Sequence, residues 1–368
     1  EELVKEQSCV FNDRGGDAIA LRPELTPTLA RMVAQKQNEL TFPLRWWAFG
    51  PFWRYERPQK GRTREFYQWN IDLIGSDSIQ ADAELIAIAA TFLKNIGLGP
   101  NDVKILVNNR LLMEESLAGV GISADRKTEM LHLIDRLEKM PGEVWNEKVL
   151  ALGVNPDQLA QIKQLLADKD LWKQSDAMIT LFASLQALGV GDYVAYDPRI
   201  IRGLDYYTGT VFEAQDVKGE FRALLGGGHY ENLVGDVGGK PLPGVGFAMG
   251  DVVIMLLLEA YGLIPENLHS GGEVYVTVFD ESLRSTSISL ANDLRNAGFA
   301  VILETESEKL SRQLKFADHN GAKAALVLGP EEQAAGTVMV KNLRTREQSP
   351  IPREELVGFL RDMLAKGR

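Results

Sequence analysis

The stretch that most restricts what this chain can fold into is Arg45–Gly75, RWWAFGPFWRYERPQKGRTREFYQWNIDLIG. Its first part, Trp46 to Tyr55, is aromatic and apolar, the composition of a buried strand. Proline, glycine and charge interrupt it at Pro58 to Thr63, and Phe66 to Ile74 then resumes with alternation. The two-residue period of a strand puts Phe66, Gln68, Asn70 and Asp72 on one face and Tyr67, Trp69, Ile71 and Leu73 on the other. Arg54, Arg57, Arg62 and Arg64 crowd the turn together with Glu56 and Glu65. A solvated hairpin tip accounts for the charges. It does not account for Gln68 and Asp72 between aromatic rows, because buried polar groups need partners. A pocket with phosphate-binding arginines beside a polar recognition face accounts for both.

Written as FWRYERPQKGRTREFYQ, this stretch closely resembles motif 2 of the class II aminoacyl-tRNA synthetases in its histidyl-tRNA synthetase form. RGLDYYTGTVFEA (Arg202 to Ala214) resembles the histidine-site motif of the same family, and GGGHYENLVGDVGGKPLPGVGFAMG (Gly226 to Gly250) the approach to motif 3. The resemblance runs from Glu1 to about Arg361 and is weakest across roughly 110–190. It implies an α/β protein. By the resemblance, residues 1–109 and 194–268 are expected to form an α+β catalytic domain on an antiparallel sheet, and 110–193 a helical insertion domain that leans on the tRNA acceptor arm. Residues 273–368 are expected to form an anticodon-binding α/β domain with a mostly parallel sheet. The chain does not begin with Met, and family members carry motif 1 before this point, so a preceding segment is expected.

The activity implied is ATP-dependent ligation of L-histidine to tRNA(His) through histidyl-adenylate, in a cytoplasmic homodimer, with Mg²⁺ bridging the ATP phosphates. Carried over residue by residue, the resemblance makes Glu24 and Thr26, in RPELT, the holders of the α-amino group. Gln68, Asp72, Tyr206 and Tyr207 would line the histidine pocket. Arg54 would clamp the α-phosphate, Arg202 would sit over the reacting carboxylate, Glu56 would hold the adenine amino group, and Arg62 would lie near the nucleotide. Three departures stand out. Asp72 replaces a frequent Glu, His229 stands in GGHYE where GGRYD is usual, and Gly250-Asp251-Val252-Val253 replaces Gly-Leu-Glu-Arg. With Val253 at the arginine's place, the motif 2 loop is expected to hold the pyrophosphate end of ATP, Arg62 foremost with Lys60 and Arg64. A catalytically inactive paralogue, serving as a regulatory subunit or a tRNA sensor, is the alternative.

The rest of the chain reads as scaffold. Val10-Phe11 and Ala18 to Leu21 flank a hairpin turn, and helices are expected over Thr28 to Lys36 and Asp77 to Gly97, the latter capped by Asp77. Apolar residues at three and four spacing across 110–193 give short helices broken at Gly and Pro. Gly226-Gly227-Gly228 permits close approach of backbone to a ligand, or a tight bend. Adjacent Tyr206 and Tyr207 on a strand would point to opposite faces, one into core and one to a ligand. From Glu273 on, the pattern is β-α-β-α-β-β-α, with Lys309, Arg312, Lys315, Lys323, Lys341, Arg344 and Arg346 as phosphate contacts or ordinary solvated side chains. A net charge of −11 gives no overall basic signal for nucleic acid, so tRNA contact needs a local surface. A single cysteine, Cys9, rules out an internal disulfide, fits a reducing compartment, and reads as a buried small residue. The four histidines have no zinc spacing, so no metal site is expected. The longest apolar run, Val252 to Leu258, is too short to span a bilayer.

Overall fold

In the computed structural model, residues 7–202, 206–265, 272–306 and 308–365 are described. The chain divides into two compact units, Glu1–Ile264 and Pro265–Arg368.

In the first unit, β1 (Cys9–Asn12) and β2 (Ala18–Leu21) form an isolated antiparallel hairpin. Asp13 closes its turn by accepting from the backbone of Gly15 and Asp17, and Cys9 is half-buried rather than buried. The helix Thr26–Lys36 follows, with proline in its first turn where a missing N–H costs nothing. The main sheet is built from β3 (Leu44–Trp53), β4 (Glu65–Ile74), β5 (Val103–Asn109), β6 (Val194–Tyr196), β7 (Thr210–Asp216), β8 (Leu225–Tyr230) and β9 (Gly244–Gly250). Its order is β3-β4-β9-β8-β7-β5-β6, antiparallel throughout except for the short β5–β6 ladder.

β3 was expected to be a buried strand. It is instead the edge of the sheet, and Trp47 and Phe49 are 71% and 61% exposed. The aromatic composition of β3 therefore reflects a surface left open in this chain. β4, its neighbour, has the expected alternation. Gln68, Asn70 and Asp72 are buried and face Gly250, Ala248 and Gly246 across β9. Small residues opposite a polar row leave a hollow above it. On the other face, Trp69 packs against Phe92 and Phe247 at 5.2 and 5.5 Å between ring centroids.

The helix Ile79–Asn95 covers that second face, burying Leu85, Ile86, Ala89 and Leu93. Its N-cap is Ser78, whose hydroxyl accepts from the backbone of Gln80, so Asp77 is displaced from the expected capping role. Helices Arg110–Gly119, Ala124–Asp135, Gly142–Ala151, Pro156–Ala167 and Asp176–Ala187 fill the segment between β5 and β6. Their aliphatic stripes join one continuous core with the sheet, and the last of them packs on the helix Ile79–Asn95.

The second unit has its own core around Val276, Leu294, Leu326 and Leu360. Its strands are β10 (Val274–Val276), β11 (Val301–Leu303), β12 (Ala324–Val327), β13 (Thr337–Asn342) and β14 (Gln348–Pro352), in the order β11-β10-β12-β13-β14. β11, β10 and β12 are parallel, while β13 and β14 add two antiparallel ladders, so the sheet is evenly mixed rather than mostly parallel. β14 was not read from the sequence, because its two prolines, Pro350 and Pro352, argue against a strand. An edge position tolerates them.

Candidate active site

All ten residues singled out for the site line one cavity of about 810 Å³: Glu24, Thr26, Arg54, Glu56, Arg62, Gln68, Asp72, Arg202, Tyr206 and Tyr207. Its floor is the polar face of β4. Its walls come from the segment before the helix Thr26–Lys36, from the β3–β4 loop and from the chain entering β7.

The glycine run Gly226-Gly227-Gly228 lies inside β8, which is neither a bend nor a loop. A Cβ on Gly226 would collide with the guanidinium of Arg202, one on Gly228 would lie 2.8 Å from the Tyr207 ring, and one on Gly246 of β9 would overlap the Asp72 carboxylate. These glycines supply the volume that the site side chains occupy.

Tyr206 and Tyr207 precede β7 rather than lying on it, and their rings meet edge to face at 4.8 Å. Both line the cavity, so the expected split between a core and a ligand face does not occur. Arg202 takes a left-handed backbone, φ 60°, which is uncommon for a side chain other than glycine and tends to be held at functional places. Gly203, Leu204 and Asp205 of the same motif lie outside the described residues.

Tyr206 donates its hydroxyl hydrogen to Glu24, and Tyr230 donates to Asp72 Oδ1 at 3.0 Å. Arg202 is paired with Glu213. Arg54 Nε donates to the Pro23 carbonyl at 3.0 Å, and its guanidinium stands 5.3 Å over the Phe66 ring. Arg62 Nε lies 3.0 Å from Glu56 Oε2. Lys60 and Arg64 are not in the cavity wall. Lys60 lies 5.2 Å over the Phe221 ring, and Arg64 lies 4.7 Å over the Tyr55 ring and donates to the Glu56 carbonyl.

Burial sets the electrostatics. It pushes the Asp72 carboxyl up to about 7, against the Tyr230 hydrogen bond and helped by the nearby charge of Glu24. Burial also raises Glu24, which the Tyr206 hydrogen bond and then Arg54 and Arg202 partly offset. Arg54 is held below the ordinary guanidinium value, again chiefly by burial. For Arg202 burial is again the largest influence and acts in the same sense, but Glu213, Tyr207 and Asp135 together outweigh it and the net direction is up. Tyr207 is pushed up to about 12 by burial, so it stays a donor at neutral pH. Gln68 Oε1, Asn70 Nδ2 and Arg202 Nε are buried with no hydrogen-bond partner among the described residues. Such atoms are costly unless something fills the cavity and satisfies them.

The sequence reading left out Asn70, Glu213, Arg222 and Tyr230, which also line the cavity. The alternation of β4 already put Asn70 beside Gln68 and Asp72. Nothing local marked Arg222, which sits alone in a loop. His229 points away from the cavity. Its Nδ1 is 2.9 Å from Asp82 Oδ1, and Nε2 lies 3.3 Å from Asp77 Oδ1 without hydrogen-bond alignment. Among the described residues, no group of three or more His, Cys, Asp or Glu could hold a metal ion by itself, and no helix is long and apolar enough to cross a membrane.

Comparison with known proteins matches residues 2–251 to the family model "Histidyl-tRNA synthetase" and 273–363 to "Anticodon binding domain". The chain is 38% identical over 365 residues to the chloroplastic/mitochondrial histidine–tRNA ligase of Arabidopsis thaliana, covering 96% of this chain and 75% of that one. It is 37% identical to the histidine–tRNA ligase of Opitutus terrae, covering 98% and 86%. The crystal structure of histidyl-tRNA synthetase from Nostoc sp. PCC 7120 superposes with a TM-score of 0.84 at 26% identity, covering 96% of this chain and 86% of that one.

Proposed function

Since the chain belongs to the histidyl-tRNA synthetase family, an enzyme class that ligates histidine to tRNA(His) with ATP, we propose that the cavity on β4 is where histidine is activated and then transferred. The observation that carries this reading is the convergence of the ten residues on one hollow that holds three orphaned polar atoms.

In the first step a carboxylate oxygen of histidine attacks the α-phosphorus of ATP. The bond from that phosphorus to the bridging oxygen breaks, and pyrophosphate leaves. In the second step the terminal ribose hydroxyl of the tRNA attacks the activated carbonyl carbon, and AMP leaves. Little covalent chemistry is asked of the protein, so positioning and charge carry the rate. Glu24, with Thr26 beside it, receives the α-ammonium group. The imidazole lies between Gln68, Asp72 and the tyrosine pair. Because Asp72 titrates near 7, close to imidazole itself, it can share a proton with the ring. A pocket that must satisfy Gln68 and Asp72 rejects side chains lacking ring nitrogens. Arg54 and Arg202 stabilise the charge that builds on the α-phosphate, and buried, pre-positioned cations do so most strongly. Glu56 takes the adenine amino group once its ion pair with Arg62 opens. Mg²⁺ would come as the counter-ion of the ATP phosphates, since the described residues offer no cage for it without the nucleotide.

We assign 1–109 and 194–268 to catalysis, 110–193 to the acceptor arm, and 273–368 to the anticodon. The exposed aromatic edge of β3 suits pairing with a second copy of the chain, as a homodimer. The single cysteine suits a cytoplasmic setting. An inactive paralogue is not favoured, because Arg54 and Arg62 are in place and the anticodon-binding model matches. Histidine-dependent ATP–pyrophosphate exchange, followed by aminoacylation of tRNA(His), tests the reading. A folded protein with no exchange would overturn it.

A further inference from the structure

Among the described residues, five cationic side chains line the cavity: Arg54, Arg62, Lys139, Arg202 and Arg222. Lys139 is paired with Asp135, Arg202 with Glu213 and Arg62 with Glu56, while Arg54 is hydrogen-bonded to the Pro23 carbonyl. Arg222 makes no hydrogen bond or ion pair with any described residue. An unpartnered guanidinium in a cavity wall, close to a second one, is an arrangement that repels itself until an anion arrives. Arg222 is close enough to Arg62 for that repulsion to add to burial in lowering its proton affinity, with Glu56 acting in the opposite sense.

The loop that carries Arg222 is built to hold it there. The buried Asp216, at the end of β7, accepts from the backbone N–H of Glu220 and of Phe221, both at 3.1 Å. Gly219 provides the left-handed turn, φ 70°, and its N–H donates to the Asp216 carbonyl. Leu224 N–H then donates to the Ala214 carbonyl at 2.8 Å, returning the chain to the sheet. Phe221 packs on the core and carries Lys60 of the β3–β4 loop over its ring, which ties this loop to the one that bears Arg62. Across the gap, Val253 lines the same cavity and stands 3.5 Å from where a Cβ on Gly61 would be. The helix Asp251–Ala260 thus offers an apolar side chain and no cation at this end of the cavity.

We propose that Arg222, acting with Arg62, binds the terminal phosphates of ATP and the pyrophosphate that leaves. This rests on the activation chemistry proposed above. Arg54 and Arg202 both act on Glu24 and are the pair assigned above to the α-phosphate. Of the other three cations, Lys139 is held by Asp135 and Arg62 by Glu56, and a triphosphate tail brings the negative charge that Arg222 lacks and that Arg62 needs once Glu56 turns to the adenine.

The test uses the full chain and its Arg222→Ala and Arg222→Lys variants. Equilibrium binding of ATP, pyrophosphate and AMP is measured by calorimetry, and exchange kinetics are measured alongside. Arg222→Ala is expected to weaken ATP and pyrophosphate roughly ten- to hundredfold, the size of a lost charge-assisted contact. AMP, which lacks the tail, is expected to change less than about twofold, with Arg222→Lys in between. ATP affinity within about twofold of the parent overturns the proposal, and so does an equal loss for ATP and AMP. The binding arm reads Arg222 even if the parent shows no exchange, whereas loss of exchange in the parent counts against the activation chemistry alone.

Discussion

Asp72 is only 3% exposed, yet it lines the cavity in which the imidazole of histidine is proposed to lie. Its proton leaves near 7 in the folded protein against an ordinary 3.8. The folded state therefore keeps the proton longer than the unfolded one. The stability this group contributes is complete below pH 3.8 and is lost as pH rises through about 7. Asp72→Asn removes that loss and keeps an acceptor for Tyr230. Denaturation at pH 8 should show the variant more stable, on the order of 2 kcal/mol. The same variant should raise the histidine KM roughly ten- to hundredfold and leave the ATP KM little changed. Equal movement of both KM values would mean the pocket is misassigned. His229 adds a second term of the same sign. Burial alone would lower its proton affinity, but Asp82, hydrogen-bonded to it, and the charges of Asp77 and Glu231 raise it above 6.5. Its contribution is complete below pH 6.5 and is lost as pH rises through the elevated value. His229→Arg, charged at every pH, should flatten the fall in melting temperature between pH 6.5 and 8.5 relative to the parent.

At the scale of the element, β8 and β9 matter for what they omit. Gly246→Ala places a methyl group against the Asp72 carboxylate and 2.8 Å from the Ile71 carbonyl, so the floor of the pocket has to shift. Calorimetry should find histidine binding reduced at least roughly tenfold, the cost of one displaced charge-assisted contact, with ATP binding reduced less. Retained histidine affinity would show that this glycine is not what makes room. This element also shows how far the sequence could be read. The alternation of β4 alone placed Gln68, Asn70 and Asp72 on one face, because a period of two is a property of the strand itself. The meaning of Gly226-Gly227-Gly228 was not legible, since the atoms that need the space, in Arg202 and Tyr207, arrive from another part of the chain. Trp46 to Tyr55 misled for the same reason. Composition separates apolar from polar strands but not a central strand from one at the edge of the sheet. Arg222 carried no pattern, and only the Asp216-anchored loop gives it a place.

For the whole molecule, the two units have separate cores, which sets what deletion should do. A chain lacking 273–368 should keep histidine-dependent pyrophosphate exchange within a few-fold and lose most aminoacylation of tRNA(His). A folded, truncated protein without exchange would refute that division. The order of the main sheet has a further bearing on how the protein is made. β4 pairs with β9, yet about 170 residues separate Ile74 from Gly244. At ribosomal speeds of about 5–20 residues per second, that interval lasts roughly 10–30 s. During it the helices between β5 and β6 and the helix Ile79–Asn95 can form and pack on one another, whereas the row Gln68, Asn70 and Asp72 has no strand beside it on that side. The nascent chain thus carries the strand whose polar face is proposed to recognise histidine as an open sheet edge until Gly250 emerges. The interval in which this protein is most exposed to mispairing, or to capture by a chaperone, comes before the cavity on β4 exists.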